Sequence, residues 1–78
     1  MARDDGDVPA RYGRAAAEAV RLWRWNVRVA DEAGTLAPGL RACATALAQE
    51  HGLDRDRVRE RAEPLLTLGE RLRAARER

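Results

Sequence analysis

Apolar residues recur at helical spacing along most of this chain. Taking 100° per residue, Tyr12, Ala16, Val20, Trp23, Val27 and Ala30 fall on one stripe, and Ala15, Ala19, Leu22, Asn26, Val29 and Ala33 on the next. The two stripes together span about half of a helix circumference, wider than a single core contact needs. A first helix from Pro9 to Ala33 is therefore expected to touch two neighbours, or one neighbour and another subunit. Pro9 suits the first helical position, where its missing N–H has no partner to lose. Gly34 suits the position just past the helix end. Residues 1–8, MARDDGDV, are polar and carry Gly6, which predicts a flexible leader ahead of a single helical domain over 9–78.

Thr35 to Gly39 (TLAPG) has turn chemistry, and a second helix is expected from about Leu40 to Glu50 with Leu40, Cys43, Ala44, Leu47 and His51 facing inward. Gly52 then offers a left-handed stop, with Leu53 folding back on the last turn. Asp54 reads as the N-cap of a third helix starting at Arg55, and Leu53 with Val58 has staple spacing. The inner positions of that helix read as Val58, Ala62, Leu65, Leu68, Leu72 and Ala75, and Val58, Leu65 and Leu72 also make a short heptad seam. Pro64 removes a donor and crowds the preceding turn, so the helix either kinks there or restarts. The pattern holds no strand-like alternation and no internal repeat. The predicted fold is all-α, a small bundle of three to four helices containing a helix-turn-helix-like unit.

Composition makes the core lean. Alanine supplies 16 of the 35 hydrophobic residues, the remainder being nine Leu, five Val, two Trp and one each of Tyr, Met and Cys, with no Ile or Phe. Such a chain gains little from bulk burial, so close helix approach and a partner chain are both expected. All fifteen basic residues are arginine; the absence of Lys and Ser excludes a P-loop lysine, a Schiff-base lysine and a serine nucleophile. The net charge of +2 is a small difference between 15 Arg and 13 acids. Residues 1–53 balance at seven of each sign, and the excess lies in 54–78, with eight Arg against six acids. The single Cys43 cannot form an internal disulfide, no apolar run reaches membrane-spanning length, and the acidic first nine residues differ from a signal peptide. A cytoplasmic location without membrane association is expected.

Candidate chemistry is sparse. Cys43 and His51 lie eight residues apart on one helix, about 12 Å along its axis, and cannot share a metal or a proton. Cys43 reads as a small core residue and His51 as a residue stabilising a helix C-terminus. No enzyme activity, metal or cofactor is expected. Two residues of the first helix break its binary pattern. Trp25 projects toward the polar arc beside Arg21 and Arg28, where it is covered by those guanidiniums, reaches round to the core edge, or serves with them as a partner interface. Asn26 lies inside the apolar arc, where a buried amide either fixes helix register or pairing or caps a neighbouring helix end.

The most informative stretch is Thr35 to Gly69. A short helix, a tight turn at Gly52 and an Asp-capped second helix reproduce helix-turn-helix punctuation. Gly34, Pro38-Gly39, Leu47-Ala48, Glu50, Gly52-Leu53, Arg55, Val58-Arg59-Glu60, Leu65 and Gly69 occur in the order found in GntR-type winged helix-turn-helix transcription regulators, which this segment resembles over roughly 35 residues. The resemblance is partial and lacks the β-wing, since ERLRAARER after Gly69 reads as further helix. It implies binding of double-stranded DNA and transcription regulation, with the helix after the turn in the major groove and with Arg55, Arg57 and Arg59 as the DNA contacts. The competing expectation is a non-catalytic protein–protein interaction module, an accessory or regulatory subunit that forms a homo-oligomer or docks on a protein partner through Trp25, Arg21 and Arg28.

Overall fold

A computed structural model of the protein describes residues 3–76, with side chains from Val8 onward. The elements are α1 (Arg3–Ala33), α2 (Leu40–His51), α3 (Arg55–Ala62), a 3₁₀ turn (Glu63–Leu65) and α4 (Leu68–Arg76). Among the described residues there is no strand, and the all-α, four-helix architecture is as the periodicity predicts. The first three helices pack on one another in every pairing, so α1 has two neighbours, and its 31 residues run the length of a body 49 Å long.

Helix α1 starts six residues earlier than its pattern suggests. The segment read as a flexible leader is helical from Arg3, and residues 1 and 2 lie outside the described residues. Pro9 therefore sits inside the helix. Its cost is confined to one carbonyl a turn upstream, and Pro9 itself is exposed, where water can replace the lost donor. At the other end the expected stop is found. Gly34 takes a φ of 69°, Thr35 N donates to Ala30 O at 2.9 Å and Gly34 N to Asp31 O at 3.4 Å. That pair of bonds is a Schellman closure.

The same closure ends α2. Gly52 has a φ of 67°, Leu53 N donates to Ala48 O at 2.8 Å and Gly52 N to Gln49 O at 3.4 Å. The chain reverses within Gly52 to Asp54, and the Asp54 carboxylate caps α3 by accepting from Asp56 N at 3.1 Å. A phenol holds this turn from the side. Tyr12 of α1 places its hydroxyl 2.9 Å from Asp54 N, which donates to it. The polar end of an otherwise buried aromatic thus satisfies a backbone group of the α2–α3 connection.

The core is built as its composition requires. Tyr12, Ala15, Ala16, Ala19, Val20 and Trp23 of α1 meet Leu40, Cys43, Ala44, Leu47 and Ala48 of α2, with Val58 and Ala62 of α3 closing the third side. Alanines on facing surfaces let the backbones approach, and the single large indole of Trp23 fills the space that leucines would otherwise occupy. Asn26 is half-buried and caps no helix end among the described residues. Its amide nitrogen lies 3.7 Å from Cys43 Sγ, a weak polar contact that ties α1 to α2 at the edge of the core.

The C-terminal part departs furthest from its periodicity. Pro64 ends α3 in a 3₁₀ turn, and the chain restarts at Thr67, so the heptad seam does not form. Of its members only Val58 is buried. Leu65, Leu68, Leu72 and Ala75 face water, Leu68 at 72% exposure, and Leu66 enters the core in their place. The cause is a new helical phase. Thr67 and Glu70 form a reciprocal capping box, Glu70 N donating to Thr67 Oγ1 at 3.2 Å and Thr67 N to Glu70 Oε1 at 2.9 Å. Glu70 is at the same time held inward by Arg24 of α1, with Nε to Oε2 at 2.7 Å and Nη2 to Oε1 at 2.9 Å. With Glu70 fixed toward α1, geometry turns Leu68 and Leu72 outward. A second pair, Arg73 Nη2 to Asp31 Oδ1 at 3.0 Å, and the partly buried Ala74 complete the attachment of α4.

Candidate functional site

The arginines expected to contact DNA are placed by α3, but not on one face. Helical spacing puts Arg55 and Arg59 side by side, with Arg57 on the opposite flank. Arg57 is turned back toward the body, its guanidinium 5.9 Å from the centre of the Tyr12 ring. Arg59 is half-buried, and its Nε is shut off from water with no acceptor. Among the described residues, Arg55 alone of the three is exposed without a hydrogen bond, ion pair or ring contact. The outward surface between them is acidic, because Asp56 and Glu60 are both exposed and one turn apart. A helix presenting that row to a phosphate backbone would meet like charge in its middle.

The second candidate lies on α1. Trp25 is 60% exposed at the centre of a stripe with Leu22 and Val29, both also exposed. Of the arrangements open to Trp25, cover by the neighbouring guanidiniums is not found among the described residues. Neither Arg21 nor Arg28 stacks on the indole, and neither is engaged in an ion pair or side-chain hydrogen bond among the described residues. The contrast with Trp23, two positions earlier and 1% exposed, is direct. One tryptophan completes the core; the other adds nothing to it.

Several functional side chains escape the periodicity because they act between elements. Arg11 of α1 donates to His51 O at 3.0 Å, capping the last turn of α2, and Glu18 stands 3.6 Å from His51 Nε2. The group of His51 that α1 holds is its backbone carbonyl, not the imidazole expected to stabilise the helix end, whose Nε2 is buried without a hydrogen-bond partner among the described residues. Glu70 is the most strongly perturbed acid. The Arg24 guanidinium, with help from the Thr67 amide, lowers its pKa from the ordinary 4.5 to about 2. The TxxE spacing of Thr67 and Glu70, directly after Pro64, is a signal that could have found this junction. Cys43 is buried, as expected of a core thiol. Among the described residues no cluster of His, Cys, Asp or Glu could hold a metal ion, and no helix is long and apolar enough to cross a membrane.

Comparison with known proteins leaves the site to be read from its own geometry. No protein-family model, no curated protein and no solved structure matches this chain.

Proposed function

We propose that this protein is a non-catalytic helical interaction module, and that its α1 face of Leu22, Trp25 and Val29 pairs with the same face of a second copy. The observation that carries the reading is the exposed, uncovered Trp25 in a helix whose core side is already complete. Tryptophan and arginine are the residue types that concentrate binding energy at interfaces, and Arg21 and Arg28 flank it. The stripe is also self-complementary. In an antiparallel pairing centred between Trp25 and Asn26, Leu22 and Val29 are equidistant from the axis, about 5 Å along the helix, so each leucine meets the other copy's valine. In the same register Arg21 of one copy comes within about 3 Å axially of Glu32 of the other, close enough for an ion pair at the rim.

Three exposed apolar side chains make a small interface, so a weak dimer is expected, with a Kd on the order of 10–100 µM. Sedimentation velocity over a concentration series tests this. Wild-type protein should move from monomer toward dimer across that range, and Trp25→Ala should shift the midpoint at least tenfold while leaving the helical circular dichroism unchanged. A chain that stays monomeric to millimolar concentration, or a Trp25→Ala variant that dimerises as well as wild type, would overturn the reading. The DNA-binding alternative keeps the turn geometry at Gly52 in its favour, but the Asp56 and Glu60 row and the engagement of Arg57 with Tyr12 weigh against it.

A further inference from the structure

A cavity of about 830 Å³ opens between the start of α2, the end of α3 and α4. Three arginines from three different elements line it: Arg41 in the first turn of α2, Arg59 on α3 and Arg71 on α4. Their donors are largely unused. Arg59 Nε is buried without an acceptor, Arg71 makes a single long bond from Nη2 to Pro64 O at 3.4 Å, and Arg41 has no side-chain partner among the described residues. Because Arg59 Nε is itself closed off from water, an acceptor in the cavity would meet Arg59 through the outer nitrogens of its guanidinium.

The backbone adds to the same field. Gly39, which precedes α2, has no side chain to cap it, and the first turn of α2 carries no acid. The first-turn N–H groups, with the positive end of the helix dipole, therefore border the cavity without a capping side chain. Two carboxylates, Glu60 and Glu63, also line it, so the formal side-chain charge is 3 − 2 = +1, and neither is ion-paired with an arginine of the cavity. Leu40, Pro64, Leu66 and Ala74 supply an apolar wall.

We infer that this cavity is a binding site for a small phosphorylated molecule, its phosphate seated between Arg41, Arg59 and the start of α2 and its apolar part against Leu40 and Leu66. Phosphate fits because arginine's planar fork binds its oxygens bidentately and because amides at a helix start accept the remaining charge. Glu60 and Glu63 oppose the anion and set the affinity low. The inference is independent of the Trp25 face, which lies on α1 and lines no part of this cavity.

The test uses inorganic pyrophosphate, titrated at constant ionic strength into the full chain and followed by ¹H–¹⁵N correlation spectra, in which arginine Nε–H signals are visible beside the amides. Saturable shifts of Arg59 Nε–H and of the Leu40 and Arg41 amides are expected, with a Kd on the order of 0.1–1 mM. Arg59→Gln should weaken binding at least tenfold. Arg41→Gln, at an exposed position that leaves the core intact, should do so severalfold, and Glu63→Gln should tighten it. The inference fails if no shift saturates, if the shifts spread equally over Arg11, Arg14 and Arg21, or if both arginine variants bind as wild type does. It also fails if a short DNA duplex displaces pyrophosphate while moving Arg55 and Arg57, since the phosphate would then belong to a nucleic-acid backbone.

Discussion

Glu70→Gln should loosen α4 in a way that depends on pH. The carboxylate accepts two bonds from Arg24 and one from Thr67 N, and these interactions lower its pKa from 4.5 to about 2. At about 1.4 kcal/mol per tenfold, that depression corresponds at face value to about 3 kcal/mol. The Arg24 side chain is 46% exposed and that of Glu70 25%, so water and salt screen the pair and roughly 1–2 kcal/mol is the better figure. A folded-state pKa below the unfolded one contributes stability that is fully present above about pH 4.5 and is lost as pH falls through 2. Wild type and Glu70→Gln should therefore differ by roughly 1–2 kcal/mol in urea unfolding at pH 7, and by less than half of that at pH 2. Hydrogen exchange at pH 7 should place the change in α4, which is attached by little else. Equal stability of the two proteins at pH 7, or a difference that persists undiminished at pH 2, would refute the role given to this carboxylate.

Three other substitutions have defined signs. Gly52→Ala forces a side chain into a left-handed conformation at the α2–α3 turn and should cost about 1–2 kcal/mol, seen as a lower midpoint in thermal unfolding. Gly13→Ala acts the other way. It gains up to about 1 kcal/mol of helix propensity inside α1, and its new Cβ meets only the tip of Arg61 at 3.3 Å, a flexible group that can move aside, so the midpoint should rise. Tyr12→Phe removes the acceptor for Asp54 N at a partly buried site and should cost about 1–3 kcal/mol by urea unfolding, with the Asp54 amide losing exchange protection.

Most of the fold was legible where one rule governed a whole segment. The stripes of α1, the Gly34 and Gly52 closures and the Asp54 cap all rest on local chemistry, and each stands where periodicity and turn preferences put it. The leucines after Pro64 show the limit of that reasoning. Their spacing continues the phase of α3, but the 3₁₀ turn resets the phase, and the contact of Glu70 with a residue 46 positions away decides which face of α4 turns inward. Arg11, Arg24 and Arg57 were unreadable for the same reason: an arginine on a helix surface looks solvated until its partner on another helix is known. The cavity around Arg41, Arg59 and Arg71 draws on three elements and has no sequence signature at all. Trp25 was visible as an anomaly from the start, and the structure supplied what the pattern could not, namely that neither neighbouring arginine covers it.

The claim that Trp25 is an interface residue is tested most directly by the two indole N–H signals of the protein, recorded by ¹H–¹⁵N spectroscopy as its concentration rises from roughly 10 µM to 1 mM. The Trp25 signal should shift progressively and saturate while the buried Trp23 signal stays fixed, the shift following the same midpoint as dimer formation in sedimentation. Two indole signals that both remain unmoved over that range, with the protein monomeric throughout, would contradict the account.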